Sequence, residues 1–156
     1  MNKTIIILSS IFLLTFSLIF VSCKDDSENY STKDIQGVWN GSLNIVFHGG
    51  DNDGTESNYS NQFTFGEDGT LILMDPSPEY ITNTGHLSVS EKGDITGIIT
   101  TTHLTKYTET TTMNWSGCSF ENKSKIKVNM NWTWNNTNNN SNGYYVITGS
   151  LTKNSK

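Results

Sequence analysis

The stretch "KIKVNMNWTW", Lys125 to Trp134, places Ile126, Val128, Met130, Trp132 and Trp134 at every second position. Lys125, Lys127, Asn129, Asn131 and Thr133 fill the places between them. Successive side chains of a β-strand point to opposite faces, so this stretch reads as a strand with one apolar face turned inward and one face in water. Helical periodicity is sustained nowhere from Ile35 onward, whereas the two-residue rhythm recurs along the whole of that region.

Working outward, "GVWNGSLNIVFHG" puts Trp39, Gly41, Leu43, Ile45 and Phe47 on one face and His48 on the other. A second strand from Asn58 to Phe65 aligns Tyr59, Asn61, Phe63 and Phe65. "GEDGT" then predicts a tight hairpin, because Asp-Gly tolerates the positive φ of such turns. A short third strand, Leu71 to Met74, is closed by Pro76 and Pro78, which cannot donate to a ladder. A fourth run from Tyr80 to Ser90, interrupted near Gly85, turns through "EKGD" into a fifth from Ile95 to Leu104. The Thr-rich sixth segment, "KYTETTTMNW", aligns Tyr107, Glu109, Thr111, Met113 and Trp115; the strand quoted first is the seventh and "YYVITGSLTK" is the last. About eight strands with short connections and no helix predict an all-β domain, an antiparallel up-and-down barrel or a sandwich. An eight-stranded interior is either filled by side chains or holds one small ligand.

"GVWNGSL", Gly37 to Leu43, resembles the Gly-X-Trp signature on the first strand of lipocalins and other calycin barrels, avidins included. "FGEDGTL" and "GYYVITGSLTK" are similar to hairpin and final-strand stretches of small lipocalin-like lipoproteins. The resemblance implies a lipocalin-like barrel over residues 35–156, with Trp39 packed across its closed end as a structural residue. The chain has no Arg, the residue that usually caps this Trp in the family.

The front of the chain carries an address. After Lys3, residues Ile5 to Val21 are mostly apolar, interrupted by Ser9, Ser10, Thr15 and Ser17, and the run ends at Ser22-Cys23. A short basic start, an apolar stretch and a small residue at the cut make a secretory signal over residues 1–22; a membrane span needs roughly 20 predominantly apolar residues. "FVSC", Phe20 to Cys23, resembles a bacterial lipobox, and "KDD", Lys24 to Asp26, resembles the export signal of surface lipoproteins in the Bacteroidota. The resemblance implies a lipid-modified Cys23 and attachment to the outer-membrane lipid with exposure at the cell surface. The charged and polar composition of "KDDSENYSTK" makes residues 23–34, with the acylated Cys23, a flexible tether. Stable anchoring takes more than one acyl chain, which the lipoprotein pattern supplies.

Removing residues 1–22 takes away Lys3 and leaves nine lysines against fifteen acids, a net charge of about −6. That balance excludes a phosphate-backbone partner, which requires a basic patch, so no nucleic acid is expected. With Cys23 acylated, Cys118 is the only thiol, so no intrachain disulfide is available. His48, His86 and His103 stand at no metal-ligand spacing from one another. "DNDGTE", Asp51 to Glu56, lacks the full twelve-residue calcium-loop pattern and reads as an Asx-turn loop. The sequence offers no Gly-X-Ser-X-Gly elbow and no inward-facing carboxylate pair, so neither an enzyme nor a cofactor is expected.

The remaining functional signal is aromatic. Tyr59, Tyr107, Trp115, Trp132, Trp134 and Tyr145 lie on inward-reading faces, where they either fill a core or line a ligand pocket. Trp134, beside the Asn-rich turn from Asn135 to Gly143, is the expected residue of an open mouth. The expectation is a monomeric, non-catalytic, surface-tethered barrel that binds a small apolar or amphipathic molecule. The rival is a solid barrel whose loops contact a protein or glycan.

Overall fold

The computed structural model describes residues 28–49, 53–75, 81–104, 108–136 and 141–155. Cys23, Lys24, Asp25, Asp26, Asp51 and Tyr107 lie outside them. The described residues form one antiparallel sheet of nine strands: β1 (Gly37–His48), β2 (Glu56–Phe65), β3 (Leu71–Asp75), β4 (Ile81–Val89), β5 (Asp94–Leu104), β6 (Thr108–Asn114), β7 (Cys118–Asn122), β8 (Lys125–Asn136) and β9 (Ser141–Lys153). The only helical turn among them is a single 3₁₀ turn, Thr32–Ile35.

Nine segments occupy eight positions. Both β6 and β7 lie between β5 and β8, and the register slips by one residue between them. Ile98 pairs with Asn114, while Ile95, three residues back, pairs with Cys118, four residues on. The same extra residue appears against β8, where Asn114 pairs with Asn131 and Ser119 with Lys127. Trp115–Gly117 is thus a β-bulge in one long strand, which bends it and sharpens the local twist. The expected sixth strand ends at this bulge, and the chain then continues along the same line.

The strands run as a meander in the order β3-β2-β1-β9-β8-β6-β5-β4. The sheet curls, because β1 and β9, first and last in the chain, are paired from Trp39↔Lys153 to His48↔Tyr144. Its two edges, β3 and β4, approach each other at one end, where Leu87 N–H donates to Gly69 O at 3.0 Å. Gly69 sits in the expected Asp-Gly turn with φ +79°, and a Cβ there would lie 2.2 Å from the Leu87 carbonyl oxygen. Only glycine allows both that conformation and that approach. β4 runs continuously through Gly85, where the sequence predicted an interruption.

The core follows the alternation. Trp39, Phe63, Phe65, Leu87, Ile95, Ile99, Met113, Trp115, Ile126, Met130 and Ile147 are fully buried. One end of the curled sheet is closed by the N-terminal segment. Ile35 is buried, Trp39 Nε1 donates to Ile35 O at 2.6 Å, and the Trp39 ring meets Phe120 edge-on at 5.9 Å. Lys153 Nζ stands 5.1 Å over the Trp39 ring and donates to Asp34 O at 2.8 Å. A lysine on the last strand therefore supplies a cation over this Trp in a chain without arginine.

Residues 28–34, read from sequence as tether, pack against this end. Tyr30 stacks on Phe120 at 4.9 Å and its N–H donates to Glu91 O at 3.1 Å. Val89 N–H donates to Thr32 Oγ1, and Lys123 pairs with the Asp34 carboxylate at 2.9 Å. Burial opposes ionisation of Asp34, but hydrogen bonds from Lys123 and Ser31 outweigh it and hold the carboxyl below its usual range. The folded unit therefore reaches back to about Tyr30 rather than starting at Ile35, because one aromatic in a charged run finds an apolar partner.

Candidate functional site

Trp39 and Phe47 share the inward face of β1 but stand eight residues apart, about 26 Å at 3.3 Å per residue. Phe47 therefore marks the end opposite the closed one. The β1–β2, β3–β4, β5–β6 and β8–β9 connections all leave from this end, and the β2–β3, β4–β5 and β7–β8 turns lie at the closed one.

Here Phe47 stacks on Trp134 (6.2 Å between centroids, 23°) and tilts against Tyr145 at 5.2 Å. Trp132 meets Tyr145 edge-on at 6.5 Å. The register aligns these rings, since Phe47 pairs with Tyr145 and Tyr145 with Trp132. Trp134 pairs with Gly143, where a Cβ would lie 2.8 Å from the indole nitrogen. The missing side chain lets the indole lie across β9 toward Phe47. Ile45, Phe47, Thr55, Ser57, Trp134 and Tyr145 line a solvent-open cavity of about 350 Å³.

Two donors in this cluster, Trp132 Nε1 and Trp134 Nε1, are shielded from solvent and have no hydrogen-bond partner among the described groups. Deeper in the sheet the same holds for Trp115 Nε1 and Asn61 Oδ1. A buried polar atom without a partner costs about 1–3 kcal/mol, so each such atom calls for an explanation. The interior is also more polar toward the open end. Thr101 and Thr111 are buried there, and Thr101 Oγ1 donates to Asn83 Oδ1 at 2.8 Å.

Of the six aromatics singled out from sequence, the structure brings together Trp132, Trp134 and Tyr145. Trp115 is fully buried between the edges of Phe63 (5.9 Å) and Phe65 (5.6 Å) and belongs to the core. Tyr59 shares a face with Leu43 but remains 47% exposed, beside the cavity rather than in its lining. Sequence reasoning placed Phe47 and Ile45 inward without assigning them to the site; their distance along β1 from Trp39 was the available signal.

Other candidates have local roles. Asp53 Oδ1 accepts from Gly49 N–H and lies 3.2 Å from His48 Nδ1, which ties the β1–β2 loop. Among the described residues no group of three or more His, Cys, Asp or Glu is arranged to hold a metal ion, and no helix is long and apolar enough to cross a membrane. Burial pushes the Cys118 thiol up to about 11, against a weaker opposing hydrogen bond from Asn129 N–H. A larger cleft of about 720 Å³ at the closed end has Glu28, Glu91, Lys92 and Glu121 in its walls, with Tyr30 as its one aromatic.

Compared with models of known families, with curated proteins and with solved structures, the chain matches none of them.

Proposed function

We propose that this protein is a lipid-anchored surface lipoprotein whose curled sheet acts as a lipocalin-like barrel, taking a small apolar or amphipathic molecule at its open end without catalysis. The observation that carries this reading is the aromatic cavity of Phe47, Trp134 and Tyr145, with Ile45 at its base and two unpartnered indole N–H groups in the cluster. Its volume of about 350 Å³ falls within the roughly 300–1,000 Å³ range of small-molecule sites. Apolar walls favour a ring or chain, and the unpartnered indole of Trp134, which lines the cavity, favours a ligand that also bears an acceptor oxygen. The β1–β9 pairing and the Trp39 cap at the opposite end support the calycin-like reading of the architecture. Lipidation at Cys23, with Lys24, Asp25 and Asp26 directing it to the cell surface, is the matching proposal for location.

Tryptophan fluorescence titrated with a fatty acid, a fatty alcohol, haem and a detergent-like amphiphile tests the ligand reading. We expect saturable quenching or a shift with at least one of them, weakened about tenfold or more in Phe47→Ala. No change with any of the four favours the solid interior and overturns the proposal. For the anchor, Cys23→Ala should move the protein into the soluble fraction; a variant that stays on the membrane refutes lipidation.

A further inference from the structure

The outer face of β6, β8 and β9 carries a second depression, of about 630 Å³, richer in hydroxyl and amide groups than the aromatic cavity. Thr110, Thr112, Thr133, Asn135, Asn142 and Tyr144 line it, with Trp134 and Gly143 between them, and no charged side chain does; Trp134 is shared with the aromatic cavity. The register explains the composition. Thr84, Thr100, Thr112, Thr133, Tyr144 and His48 are successive partners across β4, β5, β6, β8, β9 and β1, so they form one transverse row on the outward face. The next row continues it with Thr82, Thr102, Thr110, Asn135 and Asn142.

Tyr144 is the platform of this groove. His48 stacks on it at 4.7 Å with only 20° between the planes, and His48 is held through Nδ1 by Asp53. β1 and β8 flank β9 on opposite sides, so His48 covers the ring face toward β1 and the other face borders the Thr133 side of the groove. The ring remains 45% exposed.

We infer that this groove binds a neutral oligosaccharide. An exposed aromatic face beside rows of hydroxyl and amide groups offers stacking for the C–H face of a sugar ring, and both donors and acceptors for its hydroxyls. The uncharged lining gives an ionic ligand nothing to pair with, and the rows of Thr and Asn would leave a lipid chain facing hydroxyl and amide groups that it cannot pair. The groove meets the lipophile cavity only at Trp134; its Thr, Asn and Tyr144 side chains lie on the outward face, whereas Phe47, Tyr145 and Ile45 of the cavity lie on the inward one.

Native gel electrophoresis through immobilised polysaccharide tests it with the full folded chain. The probes are four neutral polysaccharides (an α-glucan, a β-glucan, a mannan and a xylan) and one polyanion, alginate. We expect retardation by at least one neutral polymer and none by alginate. Tyr144→Ala and the pair Thr112→Val/Thr133→Val should each weaken it tenfold or more, while Tyr144→Phe retains it. Retardation by none of the neutral polymers, by alginate alone, or equally in all variants overturns the inference. Should Tyr144→Ala fail to fold, the exposed Thr133→Val alone carries the test, with unchanged retardation as the refuting result.

Discussion

Replacing Trp39 probes the closed end, and its cost follows from three contacts. The side chain is fully buried, its Nε1 donates to Ile35 O, and Lys153 stands over its ring. Truncating a buried aromatic to alanine costs about 3–5 kcal/mol, the lost transfer energy plus the cavity left behind. Trp39→Phe keeps most of the apolar volume but strands the buried Ile35 carbonyl, for about 2 kcal/mol. Lys153→Met keeps the alkyl stem and removes the cation, so its coupling to the ring should be about 0.5–1 kcal/mol in a double-mutant cycle with Trp39→Ala, which removes the aromatic face. Urea unfolding followed by far-UV circular dichroism reads the wild type and the four variants, and in the Trp39 variants three tryptophans remain as an independent fluorescence probe. At about 4 °C per kcal/mol, Trp39→Ala should lower Tm by about 12–20 °C. A Trp39→Ala cost below about 1 kcal/mol, the size of an exposed substitution, would refute the placement of Trp39 as the cap.

Two further perturbations separate other parts of the structure. Cys118 has a folded-state pKa raised to about 11 from 9.0, so its contribution is fully present below pH 9 and is lost as pH rises from 9 to 11. Two units correspond to about 2.7 kcal/mol; urea midpoints of wild type should fall across that window more steeply than those of Cys118→Ala, and parallel slopes would contradict burial of the thiol. Gly69→Ala should cost at least about 2 kcal/mol and expose the Leu87 amide to exchange, since strained φ and a backbone clash at 2.2 Å combine. Gly54→Ala has the same sign of φ but open space around it, and should cost only about 1 kcal/mol. Equal costs would mean that the two sheet edges do not meet at Gly69.

The alternation in Lys125 to Trp134 made the inward face of β8 legible, because one buried face imposes one register. β7 was not legible. The bulge at Trp115–Gly117 adds one residue and breaks the period, so the alternation of the sixth strand does not carry through to Cys118 and Phe120, both of which are buried. Tyr30 was hidden by the charges around it, whose local pattern says nothing of a distant partner such as Phe120. At the site, alternation gave the face of Trp115, Trp132 and Trp134 but not their height along the sheet. Height decides which is core and which borders the opening, and it depends on strand stagger that only the pairing fixes. The outer row of threonines was visible strand by strand in "TTTHLTKYTETTT", but its assembly beside Tyr144 arises from cross-strand register.

The central claim is that one end of the curled sheet is sealed and the other receives a ligand. Hydrogen exchange of backbone amides, with and without a bound fatty acid or other lipophile from the titration, tests it directly. Protection should rise at the strand ends around Phe47, Trp134 and Tyr145 and stay unchanged at Ile35, Trp39 and Lys153. Protection that rises only around Ile35 and Trp39, or nowhere on the inward face, would contradict it.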